Sequence, residues 1–216
     1  MKRSAFTMLE LVFVIIVIGI LAVLAMPDFK SNQLQRAAEQ VAAHIRYTQH
    51  LAMIDDKFDP TDSTYDQNGC ATAFPGQWYK SWWRIRFFTL LGEKQYVVFS
   101  DKNRCNNIDA TGNSEPAIDP FSHKMLYDTG DDRGTEKVNL TKQYKIVAIG
   151  SNCDAGNIDI LFDNLGRPYA QTPLPNPNPY SHLLTTNCTI SLEHQTEGNA
   201  TITIRPETGY VSISYN

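Results

Sequence analysis

An α+β fold is predicted: a long N-terminal helix, its first half transmembrane, packed on an antiparallel β-sheet or β-sandwich-like C-terminal domain. Three observations predict it. Residues Phe6 to Met26 form a run of 21 residues whose only charge is Glu10. Between Leu34 and Ala52 apolar residues return at spacings of three and four. From Trp83 onward the apolar period falls to two. The middle pattern is that of a helix face, the last that of a pleated strand.

At about 1.5 Å per residue the apolar run would be roughly 31 Å long, close to the thickness of a bilayer core. Lys2 and Arg3 precede it, which predicts a cytoplasmic N-terminus and an extracytoplasmic remainder. An ordinary secretory signal has a shorter apolar core and a small-residue cleavage site, and Leu24-Ala25-Met26-Pro27 matches that poorly. A plain anchor explains the length but not the acid. A carboxylate at membrane depth costs about 2.5–3.5 kcal/mol on insertion scales, so Glu10 implies a partner.

The helix is expected to continue past the membrane. Leu34, Ala38, Val41, Ile45, Thr48 and Ala52 fall on one face, while Gln35, Arg36, Glu39, Gln40 and Arg46 fall mostly elsewhere. Pro60 and the acids Asp55, Asp56 and Asp59 oppose further helix. One helix of about 50 residues follows from the 1.5 Å repeat, half apolar throughout and half amphipathic. The predicted organisation is residues 1–5 as a leader, 6–26 as the transmembrane helix, 27–57 as its amphipathic continuation, and 58–216 as a periplasmic β-rich domain.

Residues 59–80 read as loop. Trp83, Ile85 and Phe87 alternate with Arg84 and Arg86, which predicts a half-buried strand. Leu91-Gly92-Glu93-Lys94 is a turn into a second strand, 95–100. Further strands are predicted at 144–149, 158–163, 188–194, 200–205 and 209–215. Arg167 to His182 holds five prolines and reads as an extended connection.

The chain carries a formal net charge of −4; without Lys2, Arg3 and Glu10 the rest has 17 basic and 22 acidic residues. That balance gives no overall attraction for nucleic acid. Four cysteines, Cys70, Cys105, Cys153 and Cys188, are dispersed with no CxxC pair. Such a set suits disulfides in an oxidising compartment better than a zinc site, and three pairings are open.

The segment Ser4-Ala5-Phe6-Thr7-Met8-Leu9-Glu10-Leu11 closely resembles the processing site of type IV prepilins and type II secretion pseudopilins. The resemblance implies that a prepilin peptidase cuts between Ala5 and Phe6 and that Phe6 becomes the N-methylated first residue. Glu10 is then the fifth mature residue, and Gly19 and Pro27 fall fourteenth and twenty-second, where pilin helices carry their glycine and proline. Ala5 departs from the usual glycine but is also small. After the cut, Phe6 carries a cationic amine that a carboxylate on a neighbouring subunit can pair with. Glu10 stands about 6 Å along its own helix from that amine, which favours pairing between subunits. Gly19 and Pro27 both weaken a helix, and Pro27 leaves the carbonyl of Val23 without its usual donor. In pilins this stretch can melt on assembly, and a simple kink is the alternative.

Residues 160–167 and 202–211 resemble the β-hairpins of minor pseudopilins of the GspH/FimT type. That subfamily implies a β-sandwich-like pair of antiparallel sheets on the long helix. Cys153 and Cys188 each precede a predicted strand, so of the three open pairings one bridges those strand ends and leaves Cys70 with Cys105 across the first hairpin. The resemblance further implies as partners the prepilin peptidase, other pilin or pseudopilin subunits, an inner-membrane assembly platform and the lipid bilayer.

No G-x-S-x-G, H-E-x-x-H, P-loop or G-x-G-x-x-G is present, and the histidines at 44, 50, 123, 182 and 194 form no cluster in the sequence. Acids gather at Asp55, Asp56, Asp59, Asp62 and Asp66, and at Asp128, Asp131 and Asp132, without the EF-hand pattern; calcium is the one cofactor they suggest, and solvated loops explain them as well. Trp78, Tyr79, Trp82 and Trp83 read as core packing or a sugar-binding surface. The expected function is structural and not enzymatic: a minor pseudopilin or minor pilin of a type II secretion or type IV pilus filament, held in the bacterial inner membrane before assembly. The alternatives are a ligand-binding minor pilin, for adhesion or DNA uptake, and an anchored periplasmic binding protein.

Overall fold

The computed structural model describes residues 7–24, 32–59, 78–102, 104, 108, 115–153, 158–170, 178 and 180–216. The chain divides into two units, Met1–Ser31 and Asn32–Asn216.

In the first unit, α1 (Met8–Leu24) is an uninterrupted helix of 17 residues that passes through Gly19. It rises roughly 26 Å, whereas a bilayer core of about 30 Å takes about 20 residues. No helix among the described residues is long and apolar enough to cross a membrane. This corrects the transmembrane helix expected at 6–26. It also removes the support for a single-pass inner-membrane protein with a cytoplasmic N-terminus and a periplasmic domain. In place of one helix of about 50 residues there are two, α1 and α2 (Gln33–Ile54). Pro27 lies outside the described residues.

The second unit is built around α2. Its buried residues are Leu34, Ala37, Ala38, Val41, Ala42, Ile45, Thr48 and Ala52, the stripe that the spacing predicts plus two alanines. Asn32 makes no side-chain cap at its start. The carboxylate of Glu197 takes that place, accepting from Gln33 N at 3.3 Å and Leu34 N at 2.8 Å.

Eight strands follow: β1 (Trp83–Leu90), β2 (Glu93–Ser100), β3 (Ile146–Ser151), β4 (Ile158–Phe162), β5 (Pro168–Ala170), β6 (Cys188–His194), β7 (Gly198–Ile204) and β8 (Val211–Tyr215). They form two four-stranded sheets, ordered β2-β1-β4-β5 and β3-β6-β7-β8, with every pairing antiparallel. α2 packs on strands of both sheets. Ile85, Tyr96, Ile160 and Phe162 of the first sheet share one apolar core with Ile190, Leu192, Ile202 and Ile204 of the second. A short helix, α3 (Leu140–Tyr144), precedes β3; Asn139 caps it, its side chain accepting from Lys142 N.

The β1–β2 turn holds Leu91 at φ +51 and Gly92 at φ +86. Two central residues at positive φ between paired Leu90 and Glu93 are the two-residue hairpin turn whose twist matches antiparallel strands. Leu91 adopts this conformation at some strain and stands 96% exposed.

The half-buried strand expected at 83–87 is corrected. Arg84 is fully buried and Arg86 nearly so, because the second face of the first sheet is also covered. Arg86 Nη2 donates to Asp159 Oδ2 at 2.6 Å and Nε at 3.1 Å. Arg84 lies 3.7 Å from Asp101 and 3.8 Å from Asp159. Buried cations persist only where such acids meet them. Beside this network, Tyr79, Trp82, Leu161 and Tyr169 form a second buried cluster.

Both edges of the first sheet are occupied by chain that is not regular strand. Along β2, Val98 N donates to Leu126 O, Val98 O accepts from Ala117 N, and Ser100 N donates to Glu115 O. Along β5, Ala170 N donates to His182 O and Pro168 O accepts from Leu184 N.

Candidate assembly site on the N-terminal helix

α1 begins with a reciprocal cap. Glu10 N donates to Thr7 Oγ1, and Thr7 N and Oγ1 both donate to Glu10 Oε2, each at 3.3 Å. A hydroxyl before the first turn and a carboxylate three residues later satisfy amides that a helix start leaves unpaired. The negative charge also complements the positive end of the helix. Thr7 is the site residue that the sequence reading passed over. Its signal was present as Thr-x-x-Glu ahead of an apolar run. The cap gives Glu10 a partner on its own helix, besides the one on a neighbouring subunit that the sequence favours.

Every other residue of α1 is apolar or glycine. Its side chains from Met8 to Leu21 are exposed, among them Leu9 at 82% and Phe13 at 67%. A helix that is apolar around its whole circumference is stable in water only when other surfaces cover it. Among the described residues nothing beyond the helix's own backbone lies within 4 Å of where a Cβ on Gly19 would be.

Ala5, Phe6, Pro27, Cys70 and Cys105 lie outside the described residues. Cys153 and Cys188 are joined by a disulfide with Cα atoms 5.0 Å apart. It ties the residues just past the end of β3 to the start of β6, where Asn152 and Thr189 also exchange hydrogen bonds.

The remaining candidates resolve into packing. His44 Nδ1 lies 2.6 Å from the Tyr96 hydroxyl, which accepts from Gln40 Nε2 at 2.7 Å; Gln40 Oε1 in turn accepts from Tyr144 OH at 2.6 Å. This chain of donors ends on the imidazole, so His44 serves as a neutral acceptor. Burial lowers its pKa to about 4, with Asp119 opposing the shift. Burial raises the Tyr96 hydroxyl. Burial alone would raise Asp55, but hydrogen bonds from Lys57 and Trp83 hold it below the usual carboxylate range.

Asp55 accepts from Trp83 Nε1 at 2.8 Å, Asp56 from Phe58 N and Asn164, and Asp131 from Arg133 and Thr129, so these acids are engaged by protein donors. Asp62 and Asp66 lie outside the described residues. Among the described residues no group of three or more His, Cys, Asp or Glu side chains could hold a metal ion. Trp78, Tyr79 and Trp82 pack on one another and on Tyr169, with Tyr79 and Trp82 buried. Tyr79 and Trp82 belong to the core, with Trp78 partly buried against them.

No protein-family model matches the chain, and neither a curated protein nor a solved structure matches it.

Proposed function

We propose that the chain is a structural subunit, a minor pseudopilin or minor pilin, of a type II secretion or type IV pilus filament. Prepilin peptidase cuts it between Ala5 and Phe6, and Phe6 is then N-methylated. The observation that carries this reading is a single acid, Glu10, at the head of a helix that is otherwise apolar all round, inside the segment Ser4 to Leu11.

The arrangement works by exchange. In the free subunit Glu10 caps its own helix through Thr7. In the filament the carboxylate meets the Phe6 amine of the next subunit, a charge-assisted contact stronger than the hydroxyl contact it replaces. The apolar helices then bury one another. Complete burial of each large apolar side chain contributes about 1.5–3 kcal/mol, enough over several residues to offset the ordering cost of assembly.

Intact-mass measurement with N-terminal fragmentation, on protein purified from its own host, tests the reading. Loss of Met1 to Ala5 with one methyl group on Phe6 is the expected result. An intact Met1, or a cut near Met26, sinks it. A Glu10→Ala subunit is expected to be cut normally and to stay out of filaments, and its normal incorporation would remove this account of the acid.

A further inference from the structure

A cavity of about 390 Å³ opens beside the β1–β2 turn, with Leu90, Leu91, Glu93, Gln95, Tyr127 and Asp128 in its wall. Two carboxylates share one side of it. The buried amide of Asn139 donates to Glu93 Oε2 at 2.7 Å and to Asp128 Oδ2 at 3.2 Å. Its own Oδ1 accepts from Lys142 N, which fixes the amide's orientation.

Gln95 is only 3% exposed, and its Oε1 has no hydrogen-bond partner. Its Nε2 turns toward Glu93 Oε2 at 3.4 Å, and Lys142 Nζ lies 3.4 Å from the same oxygen. The contacts to Glu93 thus fall on Oε2, leaving Oε1 an acceptor without a donor among the described residues. Of the two, Gln95 Oε1 is the buried one, an exception that calls for a donor; the Glu93 side chain is 30% exposed.

The charge in the wall has a sign. Arg133 is held by Asp131 at 2.8–2.9 Å. The wall itself holds Glu93 and Asp128 against Lys142 and Arg133; with Asp131, which lies outside it, these five side chains carry one negative charge in excess. Leu91, almost wholly exposed, and Leu90, 45% exposed, add an apolar rim beside Tyr127.

We propose that this cavity binds a primary ammonium group carried on a short apolar stem. Its three N–H donors match three acceptors: Glu93 Oε1, Gln95 Oε1 and the Asp128 carboxylate. Leu90, Leu91 and Tyr127 take the stem. A neutral hydroxyl would leave the excess negative charge unmet, and a guanidinium, with five donors fixed in one plane, outnumbers these three acceptors. The ammonium can come from a lysine side chain of another protein or from a free alkylamine. The inference stands independently of the filament reading.

The test uses the full chain, kept in solution with a non-ionic detergent, and follows the Gln95 side-chain amide by nuclear magnetic resonance. The probes are Nα-acetyl-lysine methylamide, n-butylammonium and neutral Nα-acetyl-norleucine methylamide. Both cations are expected to shift the Gln95 signal saturably, and the norleucine probe is expected to need at least ten times the concentration. Glu93→Gln and Asp128→Asn should each weaken the cations about tenfold. Lys142→Ala, which removes a competing ammonium from a half-exposed position, should strengthen them severalfold. Tighter binding of the lysine probe than of butylammonium assigns the site to a protein side chain; the reverse assigns it to a free amine. Equal binding of the norleucine probe overturns the proposal. So does a Gln95 signal that no probe moves, or unchanged binding in both acid variants with native thermal transitions.

Discussion

The carbonyl oxygen of Gly166 lies 2.8 Å from the point where a Cβ on Gly209 would fall. These glycines belong to the turns of the β4–β5 and β7–β8 hairpins, one in each sheet, with φ +76 and +63. Gln49 on α2 joins them, its Nε2 donating to Gly166 O at 2.8 Å and Thr208 O at 2.9 Å. Gly209→Ala therefore meets a backbone atom in addition to a left-handed conformation. It is expected to lower stability by about 2–3 kcal/mol, read by thermal unfolding. Gly130→Ala, also at positive φ but with nothing within 4 Å, should show the smaller loss of conformational strain alone. Equal losses would mean that the contact between the two turns contributes nothing.

The charge network on the covered face of the first sheet makes a second prediction. Asp159→Ala leaves Arg84 and Arg86 with one acid fewer in a place where water does not reach. Breaking a buried pair from one side costs about 3–5 kcal/mol. Denaturant unfolding should show a loss of that order, whereas Asp131→Asn, at an exposed pair, should leave the midpoint unchanged. A loss below about 1 kcal/mol for Asp159→Ala, typical of exposed pairs, would mean that the arginines find water.

His44 sets an acid limit. Its pKa falls from 6.5 to about 4 on folding, so the folded state excludes a proton that the unfolded chain takes up. Stability from this residue is whole above pH 6.5 and declines as pH falls toward 4, with a limiting slope of about 1.4 kcal/mol per pH unit. His44→Gln should flatten that stretch of the stability–pH curve. A parallel curve for the variant would place the acid sensitivity elsewhere.

The Cys153–Cys188 bridge closes a separation of 35 residues. Loop-closure entropy assigns such a link about 3–4 kcal/mol, acting on the unfolded chain. Replacing both cysteines by serine is expected to lower the unfolding midpoint accordingly while circular dichroism of the folded state stays unchanged. A midpoint within error of the parent would show that the unfolded chain is already restricted there.

Where a pattern repeats within one element, the sequence discloses it. The buried face of α2 was readable from Leu34 to Ala52 because each turn repeats the choice, and β6 and β7 were readable from alternation. Features that join distant residues were not. Arg84 and Arg86 look solvent-facing until Asp159, more than 70 positions later, is brought beneath them. The cap that Glu197 gives to α2 spans 163 residues and has no local trace. β5 has only three residues and starts at Pro168, so neither period nor composition marks it. At the candidate site the difficulty is different: Glu10 stands out as the one charge in an apolar run, while the cap shows only when the Thr7 hydroxyl is placed beside its amide.

The occupied edges of the first sheet bear on behaviour in a crowd. Protein chains that meet at high local concentration risk zipping together through open strand edges, an association with no fixed stoichiometry or end. Here the outward amides of Val98 and Ser100 on β2 and of Ala170 on β5 already have acceptors, and the fifth strand opens with a residue that has no amide proton. Neighbours that press against this sheet find no ladder to extend. A strand added along β2 or β5 would have to displace hydrogen bonds the chain already makes.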